Sequence, residues 1–269
     1  MRALRKYVAV LKISTQNVLQ YRGNILLNWL LSMMTLAAPF AFWNTIYAER
    51  EMLVGYELSD TMTYVMLTTL LGKLLIYDGI HTAVSQDIRE GKLSQFLWRP
   101  INYKAYIFFS TIGKKLVDFA VMCLLFSALL IPMNVLGLFK AALTTDMALA
   151  FLLSAFLGII LSFFLYFILG LVTFWMTECS ALYITLGTLF YFLAGGLFPL
   201  DMFRELKMIS GILPFQYQLY LPVKIYLGKL SMPVVIQGIG IQVIWCLILW
   251  GTSVVVWECG KKRYSSVGN

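Results

Sequence analysis

Residues 147–176 contain no Asp, Glu, Lys, Arg or His. A stretch of that length and character has no stable place in water. About 20 helical residues cross the hydrocarbon core, and at 1.5 Å per residue this run extends roughly 45 Å as a helix, so it must tilt or project. Further apolar runs at 25–47, 62–82, 181–197 and 234–257, and one that follows Tyr103 and continues to about 135, read as spans of the same kind. The spacing predicts an all-α polytopic membrane protein with six transmembrane helices. The composition agrees: 60% of the residues are hydrophobic and only 13% charged, far from the balance of a soluble domain.

The remaining segments divide by polarity. Residues 1–23 carry Arg2, Arg5, Lys6, Lys12 and Arg22, with Leu4, Val8, Leu11 and Val18 near helical spacing, which predicts an N-terminal amphipathic helix in the membrane interface. The apolar run after it is too long, and too poor in cleavage signals, for a signal peptide. Residues 24–269 form the six-span body. An acidic loop (Glu49, Glu51, Glu57, Asp60, with Arg50) follows the first span. Residues 198–233 are too polar to span and too apolar for a free loop. They are expected to form short outer helices that partly re-enter the membrane between spans five and six, with Asp201 capping one that Gly211 ends. The four cysteines, Cys123, Cys179, Cys246 and Cys259, lie in or beside spans and imply no disulfide framework.

The loop at 84–103 stands out. Asp87, Arg89, Glu90 and Lys92 put four charges into six positions, at a cost of roughly 2.5–3.5 kcal/mol each in hydrocarbon, so they sit in water. Ile88, Leu93, Phe96, Leu97 and Trp98 keep apolar surface beside them. Gly91 can close one helix and Arg99-Pro100 can stop the next. A helix end, a glycine break and a short amphipathic helix along the membrane face are expected.

Lys and Arg cluster on the side that holds the N-terminus, this loop with Lys114 and Lys115, and the C-terminus: fourteen there against six on the other side, with Lys73 inside a span. The positive-inside rule places both termini in the cytoplasm. The net charge of +8 sits in short clusters beside apolar runs, which fits anionic membrane lipid rather than nucleic acid. Lys73, Asp78 and Asp118 fall within spans, where charges are paired or functional. In an antiparallel hairpin of spans two and three, Lys73 meets Asp118 and Asp78 meets Lys114, which predicts two intramembrane ion pairs. Lys73, Asp78 and Asp118 would alternatively serve as the relay of a proton- or ion-coupled secondary transporter. A non-transporting sensor subunit is a further alternative.

Nothing in the chain reads as an enzyme. His81 is the only histidine, and neither HExxH nor GxSxG occurs. No metal site is expected. None of the Gly-Lys pairs is followed by Ser or Thr, so there is no phosphate-binding P-loop. ATP and magnesium, if used, belong to another chain.

The run DIREGKLSQFLWRPINY, the Gly113-Lys114-Lys115 helix after it, and LPFQYQLYLPVKIYLGKLS at 213–231 together resemble the ABC type-2 exporter permeases, specifically the bacterial six-span subfamily. The resemblance implies a permease in the bacterial plasma membrane that pairs with a second six-span permease, identical or homologous, and with ABC-type ATPase subunits. It implies that the 84–103 loop is the coupling helix. Ile88, Leu93, Phe96 and Leu97 would dock into the ATPase, and Asp87, Arg89, Glu90 and Lys92 would make polar contacts, with Gly91 and Arg99 in the same element. Tyr183, Thr185, Thr188 and Tyr191 become candidates for the path of a hydrophobic or amphipathic cargo such as a drug, an antimicrobial peptide or a lipid-linked molecule. The outer helices of 198–233 would close the exit.

Overall fold

A computed structural model describes residues 2–20, 22–75, 79–98, 101–140, 144–176 and 180–264. Among them the chain is almost wholly helical: α1 (Arg2–Gln20), α2 (Arg22–Tyr47), α3 (Leu58–Leu75), α4 (Ile80–Arg89), α5 (Leu93–Trp98), α6 (Tyr103–Val135), α7 (Thr145–Leu171), α8 (Ser180–Leu193), α9 (Arg204–Ile212), α10 (Tyr220–Tyr226) and α11 (Met232–Arg263). The described residues include no strand, only an isolated bridge between Leu53 and Tyr56.

Two helices among the described residues are both long and apolar enough to cross a membrane unaided. They are α7 with its 3-10 extension, Thr145–Phe174 at 30 residues, and α11 at 32. Helix α7 is apolar on every face, the pattern of a helix surrounded by protein, and it is the hub: α11, α4, α10 and α3 all pack on it. Leu161, Phe167 and Leu171 lose all solvent exposure there, and Tyr166 nearly all.

Where apolar side chains gain little by leaving lipid, helices associate through close packing and polar contacts. Both are present around α7. The Gln242 amide of α11 is fully buried and donates to the carbonyl oxygens of Ser154 (2.7 Å) and Tyr217 (2.8 Å), while its Oε1 accepts from Ser154 Oγ at 3.1 Å. Ser162 Oγ donates to Gln218 Oε1 at 3.0 Å. These bonds hold the stretch before α10, including the 3-10 turn Phe215–Tyr217, against the middle of α7. Irregular backbone is tolerated at such a place because neighbouring helices satisfy its polar groups.

The run expected to cross at 62–82 is interrupted. Helix α3 is described as far as Leu75, and α4 starts at Ile80 after a turn at Gly79, whose φ of +123° suits glycine alone. The turn at Gly79 breaks the helix within this run, so α4 is an element in its own right. Asp201 also departs from expectation: it lies in the 3-10 turn Leu200–Met202, and Phe203 occupies the cap position of α9. Its carboxylate is engaged elsewhere.

Candidate functional site

Helix α4 lies along the end of α7. Ile80, Val84 and Ile88 recur at fourfold spacing, so they share one helix face, and all three are buried. That face meets α7 where Gly170 removes the side chain. A Cβ there would sit 2.8 Å from Val84 Cβ and 3.0 Å from the backbone Cα of His81. After α4 the chain turns at Gly91, φ +73°, into the six-residue α5. Leu93 is completely buried and joins Ile88, Tyr103, Ile107, Phe167 and Trp257 in one cluster. Phe96 is half-buried and packs on Tyr103 and Tyr106, with ring centroids 5.1 and 4.7 Å apart.

The expected docking residues Ile88 and Leu93 are therefore turned into the chain's own core. Helical spacing defines an apolar face but not what covers it, and here α6 and α7 cover it. Asp87 is also held internally: Tyr103 Oη donates to its Oδ2 at 2.8 Å. Burial, partly offset by that bond, moves its carboxyl above the usual range. Among the described residues from 86 to 98, Gln86, Arg89, Glu90, Lys92, Gln95 and Trp98 remain exposed. Glu90 and Lys92 pair at 2.5 Å on either side of Gly91. Trp98 is 90% exposed, the largest value among the exposed large hydrophobic side chains. The side chain of Leu97, and Arg99, lie outside the described residues.

Along α8, Tyr183 is buried, with its hydroxyl 2.5 Å from Thr173 Oγ1 and its ring 4.6 Å from that of His81. Tyr191 is half-buried, its hydroxyl donating to Gly196 O at 2.9 Å. Thr185 and Thr188 are exposed beside Ile184, and Thr188 bonds back to the Ile184 carbonyl at 2.9 Å. The four residues thus fall on two faces: the tyrosines pack, and the threonines look outward.

Between α3 and α6, which pack together, Lys73 and Asp118 make no ion pair within 4.0 Å. The cations whose fields reach Asp118 are Lys115 first and Lys73 second. Asp78, expected to pair with the exposed Lys114, lies outside the described residues.

The opposite end of the bundle holds a charge cluster that sequence reading did not assemble. Asp60, at the start of α3, is 1% exposed; it faces Lys229 Nζ at 2.5 Å and Lys140 Nζ at 3.2 Å. Asp201, 11% exposed, pairs with Lys207 at 2.6 Å and Lys224 at 2.7 Å and accepts from Tyr56 Oη at 2.6 Å. Burial alone would raise the Asp201 carboxyl. The hydrogen bonds from Lys207, Lys224 and Tyr56 outweigh it and hold the group well below the usual carboxylate range. Tyr56 joins the two halves, since Lys229 Nζ lies 4.8 Å above its ring and also donates to Gly55 O at 2.7 Å. Tyr64 Oη adds a bond of 2.5 Å to Gly195 O. The α2–α3 connection, Lys140 before α7, and the 194–229 region are thereby fastened together. The sequence signal was available: an acidic first loop, and a surplus of lysines in the later loops assigned to the same side.

Taken together these features define a helical integral membrane protein whose two ends are built differently: an exposed polar tip braced on α7, and a buried charge cluster. A family model described as ABC-2 family transporter protein matches residues 33–268. The chain belongs to that family, and is an ABC permease subunit of the kind that works with a separate ABC ATPase. Comparison with the curated proteins and with the solved structures gives no match.

Proposed function

We propose that the chain is the transmembrane subunit of an ATP-driven exporter in the bacterial plasma membrane. It would cross the membrane six times with both termini cytoplasmic and pair with a second permease. The cargo is hydrophobic or amphipathic, in keeping with the aliphatic and aromatic character of the spans and the outward-facing Thr185 and Thr188. The observation that carries this reading is α4, a helix packed without a gap on α7 at Gly170 and ending in an exposed tip of Arg89, Glu90, Lys92 and Trp98. A partner that pushes on that tip moves α7 with it, because close-packed helices shift as rigid bodies. Closure of the ATPases on ATP then biases the bundle between inward- and outward-facing arrangements. At the other end the Asp60 and Asp201 clusters hold the short helices shut over the exit.

The docking surface on this reading is the tip, with Trp98 as its apolar anchor in place of Ile88 and Leu93. Buried aromatic anchors dominate interface energies, at 2 kcal/mol or more each. Trp98→Ala combined with Gln95→Ala is expected to weaken co-purification with the partner ATPase by at least about thirtyfold, with the thermal stability of the permease unchanged. Full retention of the ATPase by this double variant would remove the tip from the interface.

A further inference from the structure

We propose that α1 and the first turns of α6 form a binding surface for the headgroups of anionic phospholipids. Helix α1 is fixed along one side of α6. Ser14 Oγ donates to Ser110 Oγ at 3.2 Å, Thr15 Oγ1 to Gly113 O at 2.9 Å, and the Asn102 N–H to Tyr7 Oη at 3.1 Å, with Tyr7 stacked on Phe109 at 5.4 Å. The approach is close enough that a Cβ on Gly113 would lie 2.6 Å from Leu11 O. With that side committed, Arg5, Lys6 and Lys12 are left exposed on α1 and Lys114 on α6. No Asp or Glu precedes Glu49, and Asp118 is the only acid on either helix.

Depth follows from length. Helix α6 has 33 residues, about 50 Å against a hydrocarbon core of about 30 Å, so even with a tilt of about 40° roughly 10–20 Å projects. Its far end is exposed and apolar, with Ile131 and Val135 at 71% and 82%, and belongs in lipid. The projecting part is then the Tyr103 end, where α1 crosses. This places the cations at headgroup level. Val8, Ile13 and Leu19 are 53%, 56% and 49% exposed among them, the mixture that lets a helix sink its aliphatic groups while its long cationic side chains reach phosphate. An acidic protein surface would match the charge and leave those aliphatic groups uncovered, which favours lipid as the occupant.

The test uses the purified full chain in phosphatidylcholine vesicles with and without dansyl-phosphatidylglycerol, read as energy transfer from the native tryptophans. The wild-type chain is expected to enrich phosphatidylglycerol over dansyl-phosphatidylcholine, and to lose that enrichment as salt is raised. Arg5→Gln, Lys6→Gln and Lys12→Gln together should reduce it by at least about tenfold with the melting temperature unchanged. Val8→Ser with Leu19→Ser should weaken retention of both lipids equally and leave the preference intact. A triple variant that keeps the wild-type preference overturns the proposal. So does one that keeps it while losing the partner ATPase, which would assign the surface to protein.

Discussion

Asp201→Ala is expected to destabilise the folded chain by about 3–5 kcal/mol, the range for removing one member of a buried charge pair. The cost comes from what is left behind. Lys224, only 12% exposed, loses its counter-ion, and Tyr56 loses its acceptor. Lys207→Ala removes a partner that is 51% exposed and should cost no more than about 1 kcal/mol. Hydrogen exchange across 194–229 and tryptophan-monitored melting of the purified protein check both variants. The depressed Asp201 carboxyl also fixes the pH response. Its contribution is complete above the ordinary carboxylate pKa of about 3.9 and disappears only as pH falls through its lower folded value. Between pH 5 and 8 the wild-type margin over Asp201→Ala should therefore be flat. Equal effects at Asp201 and Lys207 would contradict the cluster as described.

Gly170→Leu is the second large effect. Carbon atoms pack at about 3.5–4.0 Å, whereas even a Cβ at this position lies 2.8 Å from Val84 Cβ and 3.0 Å from the His81 backbone. Backbone cannot rotate out of the way, so α4 must move off α7. Overpacking of this kind costs about 1–3 kcal/mol. The functional loss should be larger: the ATPase still hydrolyses ATP, but cargo movement in sealed vesicles stops because the tip no longer shifts α7. Gly251→Ala on α11, with nothing within 4 Å of the added Cβ, is the matched control and should leave transport intact. Transport by Gly170→Leu at the control rate would show that α4 and α7 do not move as one.

Hydropathy made the long elements legible, because α7 and α11 need little beyond their own composition to cross a membrane. The glycine break at Gly91 was legible too, as a left-handed position between two polar turns. What escaped was decided by partners distant in sequence. Ile88 and Leu93 form an apolar face that α6 and α7 happen to cover, so their sequence pattern could not tell inward from outward. Asp201 has the local setting of a helix cap, yet two lysines and Tyr56, 145 positions away, set its role. The turn at Gly79 was hidden because a single glycine inside a largely apolar run does not by itself mark a break. Lys73 and Asp118 fall on neighbouring helices, as the hairpin argument requires, but an index sum fixes depth and not which way each side chain turns.

The central claim is that the tip of α4 faces the cytoplasm and the Asp201 cluster faces the outside. It is tested most directly by placing Glu90→Cys and Lys207→Cys, one at a time, in a chain whose four natural cysteines are replaced by serine, and labelling with a membrane-impermeant maleimide. In intact cells the account predicts labelling at position 207 and none at position 90, with position 90 labelled once the membrane is inverted. Labelling at position 90 in intact cells would contradict it.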